Sequence, residues 1–138
     1  MADTFYEHGV KNFALGNVVW KLSGGSAIRA ILVDLADYAF SQAHDFMDDV
    51  AAGAQEETSG NMTLVDAAAN GVLDASDVTF VGTTGDTCEA VIVKRHITND
   101  ADSLPLIFWD TGAGLPVTLG GDVTVQWGNV AGTLLARI

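Results

Sequence analysis

One short segment gathers side chains that suit metal binding or acid–base chemistry. It contains His44, Asp45, Asp48 and Asp49. If the segment is helical, His44 and Asp48 are four residues apart on one face and form a candidate metal pair. A metal-dependent hydrolase using His44, Asp45 and Asp48 is therefore one hypothesis. The alternative, which we favour, is that the acids complement the dipole at a helix start while His44 packs or faces solvent.

A thiol–imidazole pair is a second candidate for chemistry. Cys88 is the only cysteine, and His96 follows it by eight residues. On an extended segment these side chains are about 26 Å apart, so we predict that Cys88 is a buried thiol. The motifs of serine hydrolases, P-loop proteins, zinc proteases and dinucleotide-binding domains do not occur in the sequence. We therefore expect no enzyme, no catalytic residue, no cofactor and no metal site.

Three tryptophans are candidates for a ligand-binding cleft: Trp20, Trp109 and Trp127. Indole rings stack on sugar rings, so a small carbohydrate-binding module is one alternative function. Aromatic residues in strands more often belong to the hydrophobic core, and this interpretation stays open beside the first.

The charge of the chain limits its partners. Among 138 residues, 18 acids oppose six bases, which gives a net charge of −12. In such a chain we expect no basic patch for nucleic acid, and no nucleic-acid partner. Residues 94–96 are the only basic run and are expected to balance nearby acids. No apolar run approaches the roughly 20 residues that cross a bilayer, and the first residues do not resemble a signal peptide. We expect no membrane partner.

Two apolar runs form the predicted centre of the fold. Residues 90–93 and 104–109 flank a polar loop at 98–103 that is rich in Asn and Asp. β-Branched and aromatic residues bounded by turn formers are typical of paired strands. Both runs are apolar at successive positions, which indicates burial on both faces. We predict a central hairpin.

The N-terminal third mixes helical and extended patterns. A short helix is predicted over residues 3–15, with Thr4 and Glu7 as a capping box, although Gly9 weakens it. Residues 18–22 are either a strand or an extended connection, and residues 28–34 form a firm strand. Ser41 is the predicted N-cap of one or two helical turns that carry Phe46, Met47 and Val50 inward. Residues 53–60 are predicted to be a polar surface loop.

From residue 62 onward the pattern is that of short strands separated by glycine turns. Alternation over residues 122–127 indicates a strand with one solvated face. The predicted fold class is mainly β, an antiparallel β-sandwich or barrel-like domain over residues 1–138, with one or two short helices in the N-terminal third. Besides the hairpin, the predicted C-terminal strands are 62–66, 71–74, 77–81, 115–119, 122–127 and 132–138.

Several segments are similar to those of a known class of proteins. They comprise Tyr38, Phe40, His44 and Phe46 after a strand, then residues 77–80, then Leu106-Ile107 with Asp110-Thr111-Gly112, and finally residues 121–127. Across residues 27–138 the chain resembles small structural proteins of tailed-bacteriophage virions.

The resemblance implies a non-enzymatic virion protein that most plausibly decorates the capsid surface. A minor tail or neck protein is the alternative within the same class, and a carbohydrate-binding module at the host-facing surface is the alternative outside it. The implied partners are the major capsid protein, or tail and neck proteins, of the same virion, together with further copies of the chain in a homo-oligomer. The implied location is the virion, assembled in the cytoplasm of the host bacterium.

Aromatic residues near the N-terminus are candidate assembly contacts. Residues 1–26 are predicted to form a helical or extended anchor segment, in which apolar side chains would bind a neighbouring protein. The competing interpretation is that these side chains cap the core of their own domain, and both remain open. The candidate contacts are Phe5, Tyr6, Phe13 and Trp20.

Overall fold

A computed structural model describes residues 4–68, 72–112, 114–127 and 136–137. Its elements are mostly short strands, as the sequence predicts. In chain order they are β1 (Thr4–Phe5), α1 (Glu7–Ala14), β2 (Ile28–Val33), β3 (Gln55–Thr58), β4 (Leu64–Ala68), β5 (Val72–Ala75), β6 (Val78–Phe80), β7 (Ala90–Arg95), β8 (Leu104–Trp109), β9 (Val123–Val125) and β10 (Ala136–Arg137).

The predicted hairpin is confirmed. Strands β7 and β8 pair antiparallel with Ile92 opposite Phe108, and all but the last residue of each is buried. They belong to a five-stranded antiparallel sheet in the order β1-β8-β7-β2-β3, so β7 is its central strand. Two smaller sheets, β10-β5-β4 and β6-β9, complete the mainly β fold. Within the described residues the arrangement is sandwich-like and no barrel closes.

The residues of β2 are apolar at successive positions because both faces of the strand are buried. Ile28 and Leu32 belong to one buried cluster, while Ile31 and Val33 belong to another. The first cluster also contains side chains of both smaller sheets, and the second contains side chains from the segment between residues 38 and 54. The large sheet is therefore covered on both faces, which leaves no position for an exposed polar side chain in its centre.

The start of the chain differs from the prediction. Thr4 and Phe5 form a short edge strand against Phe108 and Ile107, and α1 begins only at Glu7. The position before α1 is Tyr6, which gives no side-chain cap, so the predicted Thr4–Glu7 capping box is wrong. Pairing with β8 holds Thr4 in an extended conformation, away from the helix start. Residues 18–22 are a connection without strand structure.

The helical turn predicted after Ser41 begins later. Ser41 Oγ accepts a hydrogen bond from Ala43 in a turn, and a 3-10 turn covers Met47–Asp49. Its N-terminal side is held by the Asp49 carboxylate, which accepts hydrogen bonds from the amides of Asp45 and Phe46. Met47 and Val50 are buried as predicted, whereas Phe46 is half-buried. A second 3-10 turn, Ala52–Ala54, leads into β3.

The predicted surface loop over residues 53–60 is wrong for residues 55–58. They form the edge strand β3, with Thr58 opposite Ile31 and Glu57 opposite Leu32, rather than a surface loop. Their polar composition suits an edge that faces water. Residues 115–119 form only an isolated bridge between Val117 and Cys88 instead of a strand. In β9 the predicted alternation is confirmed, and β10 falls within the predicted last strand, of which residues 132–135 and 138 lie outside the described residues.

Gly9 has a packing role that the sequence does not reveal. A Cβ atom at this position would lie 2.9 Å from the carbonyl oxygen of Pro105 and 3.0 Å from the Cα of Leu106. Both neighbours are backbone atoms of β8, which cannot move without disturbing the sheet. Glycine therefore lets α1 lie directly on β8.

We expect Gly9→Ala to lower the free energy of unfolding by up to about 2 kcal/mol, measured by urea denaturation. Alanine improves helix propensity by about 1 kcal/mol, but overpacking against a backbone costs roughly 1–3 kcal/mol. Ala14→Gly, on the exposed side of the same helix, is the control and should lose only the propensity difference. An unchanged or higher stability of Gly9→Ala would contradict the close approach.

Candidate functional site

The predicted metal segment is arranged as a structural loop. His44 precedes the 3-10 turn that contains Asp48, so the two do not share a helical face. His44 Nδ1 lies 2.8 Å from the hydroxyl of Tyr38, to which it is hydrogen-bonded. The amide of Asp45 donates to the Asp49 carboxylate at 3.0 Å, and this bond is the main cause that lowers the pKa of Asp49. These contacts support the loop rather than assemble a set of metal ligands.

The predicted assembly contacts face the interior of their own chain. Tyr6 is fully buried, and its hydroxyl lies 3.0 Å from that of Tyr38. Trp20 is 6% exposed and donates its Nε1–H to the carbonyl of Asp74 at 2.8 Å. Phe5 and Phe13 are half-buried and meet edge to face at 6.5 Å. The four aromatic side chains thus cap the core of their own domain, as the competing interpretation holds.

Aliphatic side chains of the same segment are exposed instead. Helix α1 turns Gly9 and Asn12 toward the sheet and Val10 toward solvent. Beyond its end Leu15 is 63% exposed. Val10 and Ala14 each follow a residue of the packed face, Gly9 and Phe13, by one position, which turns them by about 100° around the helix and away from that face. The large apolar side chains exposed in the described residues are Val10, Leu15, Val19, Leu22, Val65 and Val81.

A groove of about 630 Å³ lies beside two of the tryptophans. Leu32, Val91 and Trp109 contribute from the large sheet, and β9 and Trp127 form other parts of its wall. The two indole rings stack at 5.1 Å. Trp127 is 5% exposed, and its buried Nε1 has no hydrogen-bond partner in the described part of the chain. Of the three tryptophans, only Trp109 offers a partly exposed ring to a ligand.

Cys88 and His96 lie beyond opposite ends of β7 and do not form a pair. The Cys88 thiol is fully buried, as predicted. Burial, followed by the nearby charges of Glu56 and Glu89, raises its pKa to about 12. At His96, partial desolvation and then the charges of Arg29 and Lys94 lower the pKa of the imidazole. One end of β7 is therefore negative and the other positive.

Three carboxylates meet near the negative end. Oxygen atoms of Asp34, Glu56 and Asp86 lie within 4.8 Å of one another. Asp34 is 6% exposed and accepts a hydrogen bond from the amide of Ala36 at 2.7 Å, while Glu56 accepts one from the amide of Asp86 at 3.3 Å. Such oxygen ligands suit a hard cation such as Ca²⁺, and without one they repel. Separation by 22 and 30 residues hid this group from sequence reasoning.

The charge balance around these carboxylates comes from no nearby base. Within the described residues the only ion pair joins Lys94 to Asp100 at 3.1 Å, which confirms that part of the basic run balances an acid.

The chain matches no protein-family model and no curated protein. Among the described residues, none of the helices has the length and apolar character that a bilayer-spanning segment needs.

We expect the free energy of unfolding to fall above pH 9 because of Cys88. Its pKa is 9.0 ordinarily and about 12 when folded, so the neutral thiol stabilises the fold below pH 9 and this contribution is lost as pH rises toward 12. Urea denaturation at pH 9 and pH 10 should show a decline in the wild type that is smaller in Cys88→Ala. Burial also raises the pKa of Tyr6 and Tyr38 from 10.0. Their contribution to the loss of stability therefore becomes the larger one only at higher pH. Equal slopes in the two proteins would contradict this assignment.

We expect Asp86→Asn to raise the free energy of unfolding in dilute buffer at neutral pH. The substitution removes one of three repelling charges. It keeps the backbone amide of residue 86, which donates a hydrogen bond to Glu56, so the gain in stability should be about 0.2–1 kcal/mol. The gain should shrink at high salt, which screens exposed charges. Asp102→Asn, which removes an exposed charge away from the group, controls for net charge. A loss of stability would indicate that the three carboxylates are held by a cation.

Proposed function

We propose that this chain is a non-enzymatic structural protein of a tailed-bacteriophage virion and binds the capsid surface as a decoration protein. The observation that supports an assembly role most strongly is the exposed apolar surface of residues 10–22. It contributes four of the six large apolar side chains that are exposed in the described residues. Exposed apolar side chains that form one surface are typical of protein–protein contacts, and their concentration in one segment supports such a contact here.

The position of these side chains fits the anchor segment predicted over residues 1–26. The aromatic residues of the segment fix it to its own core, and Val10, Leu15 and Val19 are left on the outside. The segment is therefore a rigid apolar surface rather than a loose arm. A rigid surface loses little conformational entropy when it binds.

Charge supports the same contact. Residues 8–33 contain Lys11, Lys21 and Arg29 and no acidic residue, although the whole chain carries −12. An apolar surface with a basic rim is complementary to an acidic surface on the major capsid protein or on a tail or neck protein. Strong negative charge elsewhere keeps the free subunit soluble and separate.

A carbohydrate-binding function is the second candidate, and the groove beside Trp109 is the observation that favours it. Trp20 and Trp127 are buried, so any sugar would have to stack on Trp109 alone. Binding to a glycan array that is lost in Trp109→Ala with the fold intact would support this candidate over the first.

The proposal is tested by counting copies of the chain in purified virions against the major capsid protein, using quantitative mass spectrometry. A ratio near one, or a simple fraction of one, is expected for a decoration protein. A handful of copies per particle would indicate a tail or neck position. Absence from particles would overturn the proposal.

The contact itself is tested with Leu15→Ser, which should reduce cosedimentation of the purified chain with particles that lack it. Val65→Ser changes an apolar side chain that is 45% exposed outside residues 10–22 and is the matched control. If both variants bind the particles equally well, residues 10–22 are not part of the contact.

A further inference from the structure

Basic side chains gather at the end of the large sheet where β2 begins. Ile28 lies opposite Arg95, and Arg29 lies opposite Lys94. Lys94 is neutralised by Asp100, whereas Arg29 and Arg95 form no ion pair within the described residues. Arg29 donates to the Asn61 side chain at 2.9 Å, and Asn61 lines a concavity of about 290 Å³ together with Lys21. We call this surface, defined by Lys21, Arg29, Asn61 and Arg95, the basic end.

Acidic side chains gather at the other end of β2. Asp34 follows its last residue, and Glu57 lies opposite Leu32 on the neighbouring edge strand. The loop after β6 is attached here, because the amide of Thr84 donates to Glu57 and that of Asp86 donates to Glu56. We call the surface defined by Asp34, Glu56, Glu57, Asp86 and Glu89 the acidic end.

The two ends cannot neutralise each other within one molecule. Strand β2 has six residues, which at roughly 3.3 Å per residue separates its ends by about 20 Å. This distance exceeds the Debye length of about 8 Å at physiological ionic strength. Each end therefore keeps an unbalanced charge, and its complement is available on a second copy.

Shape adds to the charge complementarity. Val81 begins the loop that is attached to the acidic end, and it is 78% exposed, the highest value among the large apolar side chains described. The basic end carries the concavity beside Lys21 and Asn61. An exposed apolar side chain thus belongs to the loop that is attached to one end, and a recess is present at the other.

We propose that copies of this chain dock head to tail, with the acidic end and Val81 of one copy against the basic end of the next. Lys21 and Arg29 then approach the carboxylates of Glu57 and Asp86, and Val81 enters the recess. The inference deepens the proposed function, and rests on it, by naming a second copy as the partner. A head-to-tail contact is heterologous, so it generates a ring or a row of subunits rather than an isologous dimer.

Net charge sets the conditions under which the contact forms. Two copies of charge −12 repel at long range, most strongly at low salt. At physiological ionic strength this repulsion is screened, while ion pairs made at contact distance persist in part. Self-association should therefore be strongest at intermediate salt and weaker at both extremes.

A charge exchange tests the proposal with the purified full chain by sedimentation velocity. Lys21→Glu with Arg29→Glu removes the positive charge of the basic end, and Glu57→Lys with Asp86→Lys removes most of the negative charge of the acidic end. Each double variant alone should self-associate about tenfold more weakly than wild type, since the attraction between the two ends is lost. An equimolar mixture should regain association, because the unchanged acidic end of the first variant then meets the unchanged basic end of the second. Lys11→Glu, an exposed exchange on α1, is the control and should associate as wild type does.

The outcomes separate this inference from the proposed function. Wild type that stays monomeric at millimolar concentration, or a mixture that associates no better than its components, would overturn head-to-tail docking. Neither result depends on particles, so the copy number in virions is judged independently. If a double variant loses its circular dichroism signature, the single exchange Lys21→Glu, which changes only an exposed side chain, carries the same test. Val81→Ser should weaken association without altering its salt dependence.

Discussion

The structure depends on burying both faces of the three central strands of the large sheet. Strand β2 sends side chains into two separate clusters and β7 alternates between the same two, while β8 contributes Leu106 and Ile107 to one of them and Phe108 to the other. A shift of one residue in the register of β2 would exchange the two sets of side chains between cores of different shape, so the register is strongly constrained. The smaller sheets cover one face and the segment between residues 38 and 54 covers the other. Everything else in the molecule is arranged around this double burial.

One consequence is that charge is restricted to the ends and edges of the sheet. The exceptions are held by partners: Lys94, 4% exposed, is paired with Asp100, and Asp34 is bonded to the amide of Ala36. Strand ends are the positions left for charge. The antiparallel pairing of β2 with β7 brings Arg29 and Arg95 to one end of the sheet and Asp34 and Glu89 to the other, so the sheet has one basic and one acidic end. Burial is the main cause of the pKa shifts at the two ends of β7, where it raises the pKa of Cys88 and lowers that of His96. The carboxylates near Cys88 and the cations Arg29 and Lys94 near His96 act in the same directions.

Sequence reasoning succeeded where a pattern is local and failed where a distant partner decides. The hairpin of β7 and β8 was predictable because uninterrupted apolar runs flank a polar loop. Strand β3 was not, because its sequence QEET is polar and becomes a strand only by pairing with β2. For Tyr6 the sequence left an assembly contact and a place in the core both open, because the residues that bury it, Tyr38 and Phe40, are more than 30 residues away. The three carboxylates of Asp34, Glu56 and Asp86 likewise meet only through the pairing of β2 with β3 and the attachment of the loop after β6.

The two proposed contacts share Lys21 and Arg29 but differ in their apolar side chains and in the use of the acidic end, and this difference gives assembly a natural order. Val10 and Leu15 face outward from the helix side, whereas the charged ends lie along the direction of β2. In free solution, repulsion between chains of charge −12 opposes the head-to-tail contact. Subunits bound side by side on a lattice meet at an effective concentration far above that in solution, which strengthens a weak contact without any change in its geometry. A contact that is weak between free subunits is thus suited to link them after each has bound, because the lattice rather than the contact then sets the number of copies.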